Sequence, residues 1–191
     1  SDGFLKLNED EFCREIIILI FPQFKNINSL KNLHKYAKDN IKNIDFIFLI
    51  SFLIVDGTDN ADYFIYKFNI SKKDQKRILF LNEYLKNKNN EKFNTKNLWK
   101  ILYFNGKDSL LDLINFHIFK SKKVDKKLEN FLSFFKDKNV PTLPLKAATL
   151  MAKYNIPEGK ELGLKLKQIE NKWVDNDFRI TEKEVEKIIS S

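Results

Sequence analysis

Apolar residues along this chain recur at intervals of three and four, the spacing that lines up one face of an α-helix. Asn8-Glu9-Asp10-Glu11 has the form of a capping box ahead of Phe12, Ile16, Leu19 and Ile20, with Pro22 near the stop. Ser29 is placed to cap a short helix through Leu33, Tyr36 and Ala37. Asp45 precedes the apolar run Phe46–Val55, interrupted only by Ser51, which ends at Asp56-Gly57 and reads as a fully buried helix. Ser71 precedes Ile78, Leu79, Leu81 and Leu85, and Asn87-Lys88-Asn89-Asn90 reads as a polar connector. Thr95 opens a segment through Leu98, Trp99, Leu102 and Tyr103 that Asn105-Gly106 stops, and Asp108 would cap the next, through Leu111, Ile114 and Phe119. A further helix spans about Val124 to Phe135, and Thr181 with Glu184 repeats the capping-box pattern before Val185 and Ile188. No pair of alternating, strand-like runs is present. The pattern predicts an all-α protein: a multi-helix body over residues 1–139 and a helical tail over 140–191.

The small and rigid residues break this uniformity. Three of the five alanines (Ala147, Ala148, Ala152), three of the four prolines (Pro141, Pro144, Pro157) and two of the five glycines (Gly159, Gly163) fall between 141 and 163. Such clustering specifies backbone geometry, and the spacing predicts two helices joined by a turn. Pro144 suits the first helical turn, where a missing N–H costs nothing. The alanines would admit a closely packed partner helix. Asn155 tolerates the left-handed conformation that ends a helix, and Pro157 forbids continuation. The second helix would carry Leu162, Leu166, Ile169 and Trp173 as one apolar stripe, with a potential phosphate site at its free N–H groups near Gly159 to Leu162. Lys146 and Lys153 flank the first helix, and Lys160, Lys165 and Lys167 lie on the second.

Charge adds less than it first suggests. The 191 residues carry 34 Lys+Arg against 26 Asp+Glu, a net +8, but only Arg14, Arg77 and Arg179 are arginines. Lys, Asn, Ile and Phe all have A/T-rich codons, so codon bias is a sufficient alternative source for much of the excess. The charge permits nucleic-acid binding without showing it. No apolar run reaches the roughly 20 residues of a membrane span, and no secretory signal is visible, so a cytoplasmic protein without membrane partners is expected. Cys13, the one cysteine, excludes an internal disulfide and lies on an apolar helical stripe, as a buried structural thiol would. His34 and His117 each lack a following Asp and read as structural. Asp175 and Asp177 read as a solvated loop, and no Walker-type glycine loop exists.

Three ordered segments carry a resemblance. Leu143-Pro144-Leu145-Lys146-Ala147-Ala148-Thr149-Leu150-Met151, then Ile156-Pro157-Glu158-Gly159-Lys160-Glu161-Leu162-Gly163, then Trp173-Val174-Asp175-Asn176-Asp177-Phe178 resemble the C-terminal region of bacterial CCA-adding tRNA nucleotidyltransferases and their poly(A) polymerase relatives. Upstream, Phe68-Asn69-Ile70-Ser71-Lys72-Lys73 and the stretch Leu98 to Ile114 around Gly106 are similar to further steps of that family. The chain departs from it at Ala147, Thr149 and Asn155, which stand where the family has Gly, Asp and Gly; Thr149 removes a carboxylate. The resemblance implies a tRNA-binding body and tail that grips the folded tRNA elbow, with Lys146, Lys153, Gly159, Lys160, Gly163, Lys165 and Lys167 as RNA-binding residues. It implies that catalysis, Mg and CTP or ATP belong to an N-terminal head whose paired carboxylates and Gly-rich loop are missing here, so no catalytic or metal residue and no cofactor is expected in this chain. The chain begins Ser1-Asp2-Gly3 and has Met151 as its sole methionine, and the head is expected on a longer protein or a separate polypeptide. The alternative is a helical protein-interaction module with no RNA ligand.

Overall fold

In a computed structural model, which describes residues 2–87 and 93–190, the fold is all-α. Eleven α-helices are found among the described residues: α1 Asp2–Glu9, α2 Glu11–Ile20, α3 Lys35–Asn40, α4 Phe46–Ile54, α5 Asn60–Phe68, α6 Lys72–Lys86, α7 Thr95–Lys120, α8 Lys126–Lys136, α9 Ala147–Tyr154, α10 Lys160–Asp175 and α11 Glu182–Ser190. Short 3₁₀ turns cover Ile27–Asn32 and Ile41–Asn43. Residues 88–90 of the expected polar connector lie outside the described residues. No described helix is long and apolar enough to cross a membrane. The chain divides into two compact units, Ser1–Asn139 and Val140–Ser191.

The first unit is built around α4. Asp45 accepts hydrogen bonds from the Ile47 and Phe48 amides at 2.7 and 3.2 Å and so fixes where α4 begins. Phe48 and Phe52 then meet Phe116 and Phe119 of α7 edge to face, at centroid separations of 5.1 to 5.7 Å. Ser71 and Asn94 cap α6 and α7 in the same manner. Gly106 interrupts α7 with φ 83 and ψ 169, where a side chain would be strained, so the expected stop at Asn105-Gly106 is a sharp break between two helical stretches. Across that break Asp108 pairs with Lys73 of α6 at 3.4 Å.

Several local expectations are corrected. The helices α1 and α5 lie outside the expected set. Asn8 is buried inside α1, and Asp10 alone caps α2, through the Cys13 amide at 2.8 Å. Ser29 sits within a 3₁₀ turn, and the next helix starts only at Lys35. The expected core stripe of α2 faces outward, with Phe12 71 % and Leu19 82 % exposed. Arg14 is the buried residue of α2 instead, and it donates to the Asn8 carbonyl. Cys13 is half-buried, and its hydrogen bond with Asp10 pushes the thiol up, away from nucleophile chemistry.

The second unit is a three-helix cluster closed on Leu150, Leu162, Ile169 and Val185. Pro144 is not in the first turn of α9, because Lys146 is the N-cap. Leu143 and Leu145 pack on the cluster from the non-helical segment ahead of α9, which begins only at Ala147. Ala147, Ala148 and Ala152 are exposed, so they do not admit a packed helix; Leu150 makes the contact on α9.

Candidate nucleic-acid interface

The geometry of the α9–α10 turn follows from its sequence. Asn155 adopts φ 57 and ψ 31, the left-handed conformation in which its amide donates to the Met151 carbonyl at 3.0 Å. Ile156 packs on the cluster while Pro157 and Glu158 remain exposed. Gly159 is the N-cap of α10 with φ 156 and ψ −166, a region that side-chain-bearing residues scarcely enter. Its carbonyl accepts the Gly163 amide at 3.2 Å. The first turn of α10 therefore presents unpaired amides to solvent, alongside the Glu161 carboxylate, which takes part of the positive helix end.

At 3.6 residues per turn, the inward stripe Leu162, Leu166, Ile169 and Trp173 turns Lys160, Gly163 and Lys167 to the opposite side. All three are exposed, and nothing lies within 4 Å of where a Gly163 side chain would begin. Packing therefore does not require a glycine there, although a glycine inside a helix costs about 1 kcal/mol against alanine. Lys146, the N-cap of α9, is also exposed.

The other two lysines of the expected set are engaged within the unit. Lys153 pairs with Glu182 and lies over the Tyr154 ring at 5.3 Å from its centroid. Lys165 donates to the Ile188 carbonyl at 2.9 Å, tying α10 to the last turn of α11. Thr149 borders a cavity of about 280 Å³ with Leu145, Tyr154 and Ile180.

The far end of α10 explains the spacing of Trp173 and Phe178. The Phe178 amide donates to the Trp173 carbonyl at 2.8 Å, with Asp177 left-handed at φ 54. The two rings meet edge to face at 4.9 Å, which is the hydrophobic contact that accompanies this helix stop. Asp175 and Asp177 are exposed. Glu184 closes the unit: it accepts from the Thr181 amide and hydroxyl at 2.9 and 2.8 Å and from Asn176 at 2.9 Å. The Thr181 amide and hydroxyl hold its carboxyl below the usual glutamate range. Among the described residues no three His, Cys, Asp or Glu side chains gather as a metal site.

Sequence reasoning missed the polar centre of the first unit. Arg77 of α6 holds Asp112 of α7 through two hydrogen bonds of 2.8 Å and reaches Asp45 at 3.1 Å. Burial pushes the Asp112 carboxyl up, against the pull of Arg77. This group lines a cavity of about 240 Å³ with Tyr36, Asn40 and Asn115. The available signal was scarcity: in a lysine-rich chain, Arg14 and Arg77 are two of three arginines and both are buried. A guanidinium forms a planar, two-pronged contact that lysine does not. The histidines are structural: His34 bonds the Ile118 carbonyl at 3.1 Å, and His117 packs edge to face on Phe93, where burial pushes its imidazole down.

No protein-family model matches the chain, and no curated protein matches it.

Proposed function

We propose that this chain is the tRNA-binding body and tail of a CCA-adding-type tRNA nucleotidyltransferase, acting in 3′-end maturation or repair. The supporting observation is the outward side of α10, where Lys160, Gly163 and Lys167 share one exposed face beyond a turn fixed by Asn155, Pro157 and Gly159. Lysines and a helix start suit an RNA duplex, whose phosphates and shallow groove are read by shape and charge. The glycine leaves space for a sugar-phosphate backbone to come close. Catalysis belongs, in this reading, to a head region on the same longer protein or on a partner polypeptide, and this chain alone incorporates no nucleotide.

Fluorescence anisotropy with labelled tRNA tests the proposal. Affinity falls steeply with salt, and changing Lys146, Lys160 and Lys167 together to Gln lowers the affinity by about tenfold or more. The salt slope falls with it, by about one for each phosphate that a lysine no longer neutralises. Lys165→Gln serves as the reference, since it loosens α11 without touching the outward face. An affinity unchanged in the triple variant removes this face from the site, and CTP- or ATP-dependent extension by the chain alone overturns the assignment of catalysis elsewhere.

A further inference from the structure

We propose that α2 is a docking face for a basic amphipathic helix of a partner protein. The face is apolar and uncovered. Projected at 100° per residue, Phe12, Ile16, Leu19 and Ile20 fall within a sector of about 100°, opposite the inward residues Arg14, Ile17 and Phe21. The four are 71, 40, 82 and 55 % exposed. A surface of this kind marks an interaction site, because isolated exposed apolar residues are ordinary but a continuous stripe is not.

Charge selects the occupant. Glu11 and Glu15, four residues apart, run along one flank of the stripe, and Glu9 and Asp10 stand at its head. The first twenty residues hold Asp2, Glu9, Asp10, Glu11 and Glu15 against Lys6 and Arg14, a local −3 in a chain of net +8. Only Glu11 of the flanking pair has a partner among the described residues, Arg14 at 3.2 Å, and it remains 82 % exposed on its side chain. A second copy pairing through its own α2 would set these carboxylates against one another. An anionic bilayer binds helices edged with Lys or Arg, and this edge is acidic. An RNA backbone is repelled for the same reason. The complement is a polypeptide helix with apolar anchors at i, i+3, i+4 and i+7 and Lys or Arg along the facing flank. The lysines of α9 and α10 take no part, so this face stands whether or not the chain binds tRNA.

The probe is a labelled amphipathic peptide of Leu and Lys, compared with one of identical Leu register carrying Glu for Lys, titrated with the full chain. The Lys peptide binds at least about tenfold more tightly at low ionic strength, and the ratio shrinks as salt rises. Phe12→Ser with Leu19→Ser abolishes binding of the Lys peptide. Glu9→Lys with Glu15→Lys reverses the preference, and because all four substituted positions are exposed and none pairs with Arg14, circular dichroism is unchanged in both variants. Equal binding of the two peptides, or binding that survives Phe12→Ser with Leu19→Ser, overturns the proposal. So does a concentration-dependent dimer that those two substitutions dissolve, which would make a second copy the occupant, or co-flotation with phosphatidylglycerol vesicles, which would make it a membrane.

Discussion

The helices α2 and α10 carry the same pattern and meet opposite fates. Each has large apolar residues at i, i+4 and i+7: Phe12, Ile16 and Leu19 in one, Leu162, Leu166 and Ile169 in the other. In α10 the stripe is the core of its unit, with Ile169 fully buried and Leu162 4 % exposed. In α2 the stripe is the surface, and the inward side is held by a cation, Arg14, bonded to the Asn8 carbonyl. Periodicity therefore identifies a helix and its apolar side, and it leaves open what that side touches. An inward stripe contributes to the stability of the fold; an outward one is available for association.

That contrast is open to measurement, and the largest effect lies in the cores. Ile169→Ala should destabilise the second unit by about 2–5 kcal/mol through reduced burial and an unfilled cavity, whereas Leu19→Ala should change stability by no more than about 0.5 kcal/mol. Urea unfolding followed by tryptophan fluorescence checks both, with Trp173 reporting on the second unit and Trp99 on the first. A cost at Leu19 comparable to that at Ile169 would mean that α2 packs inward through its stripe after all.

The polar anchors come next. Arg14→Ala should cost about 1–3 kcal/mol, because the Asn8 carbonyl loses its charged donor and the packing of the long side-chain stem disappears. Arg14→Lys should recover only part of this, since one ammonium does not reproduce the fork that reaches both Asn8 and Glu11. Thermal melts rank the three proteins, and full recovery by lysine would show that charge alone matters there.

The smallest effect is a pH dependence of the second unit. Glu184 has its carboxyl lowered from an ordinary value of 4.5 by bonds to Thr181 and Asn176. A depressed carboxyl stabilises the fold above its unfolded value and loses that contribution as pH falls through the folded one. The α10–α11 pairing should thus weaken on acidification below about pH 4.5, and Glu184→Gln should flatten that limb of a Trp173 fluorescence titration. The first unit has depressed carboxyls of its own in the helix caps Asp10 and Asp45, so Glu184→Gln should leave its acid response unchanged.

Much of the local structure was legible in the residues. Asp45 and Ser71 begin α4 and α6 because a short acceptor side chain meets the free amides of a first turn. Asn155 and Gly159 bound the α9–α10 turn for reasons of backbone sterics alone. The helices that the pattern does not mark lack those signals: α5 is preceded by Asp59, which makes no side-chain cap, and Tyr63 and Tyr66 blur its apolar side by standing exposed. For the candidate interface, the five lysines were legible as a set, but their division was not. Lys165 lies five residues beyond Lys160, which rotates it toward the packed side and onto the Ile188 carbonyl, while Lys167, seven beyond, returns to the exposed side.

The sequence by itself determined the starts of α4 and α6 and the turn between α9 and α10, because caps, prolines and left-handed residues act within a few positions of the backbone they control. It also determined the all-α class, through spacing. Only the tertiary structure decided which apolar stripe is covered, which alanines face solvent and which lysines remain outward. Those outcomes depend on partners far along the chain, such as Arg77 with Asp112 or Leu150 with Ile169, and burial is a property of the packed assembly of helices rather than of any one of them.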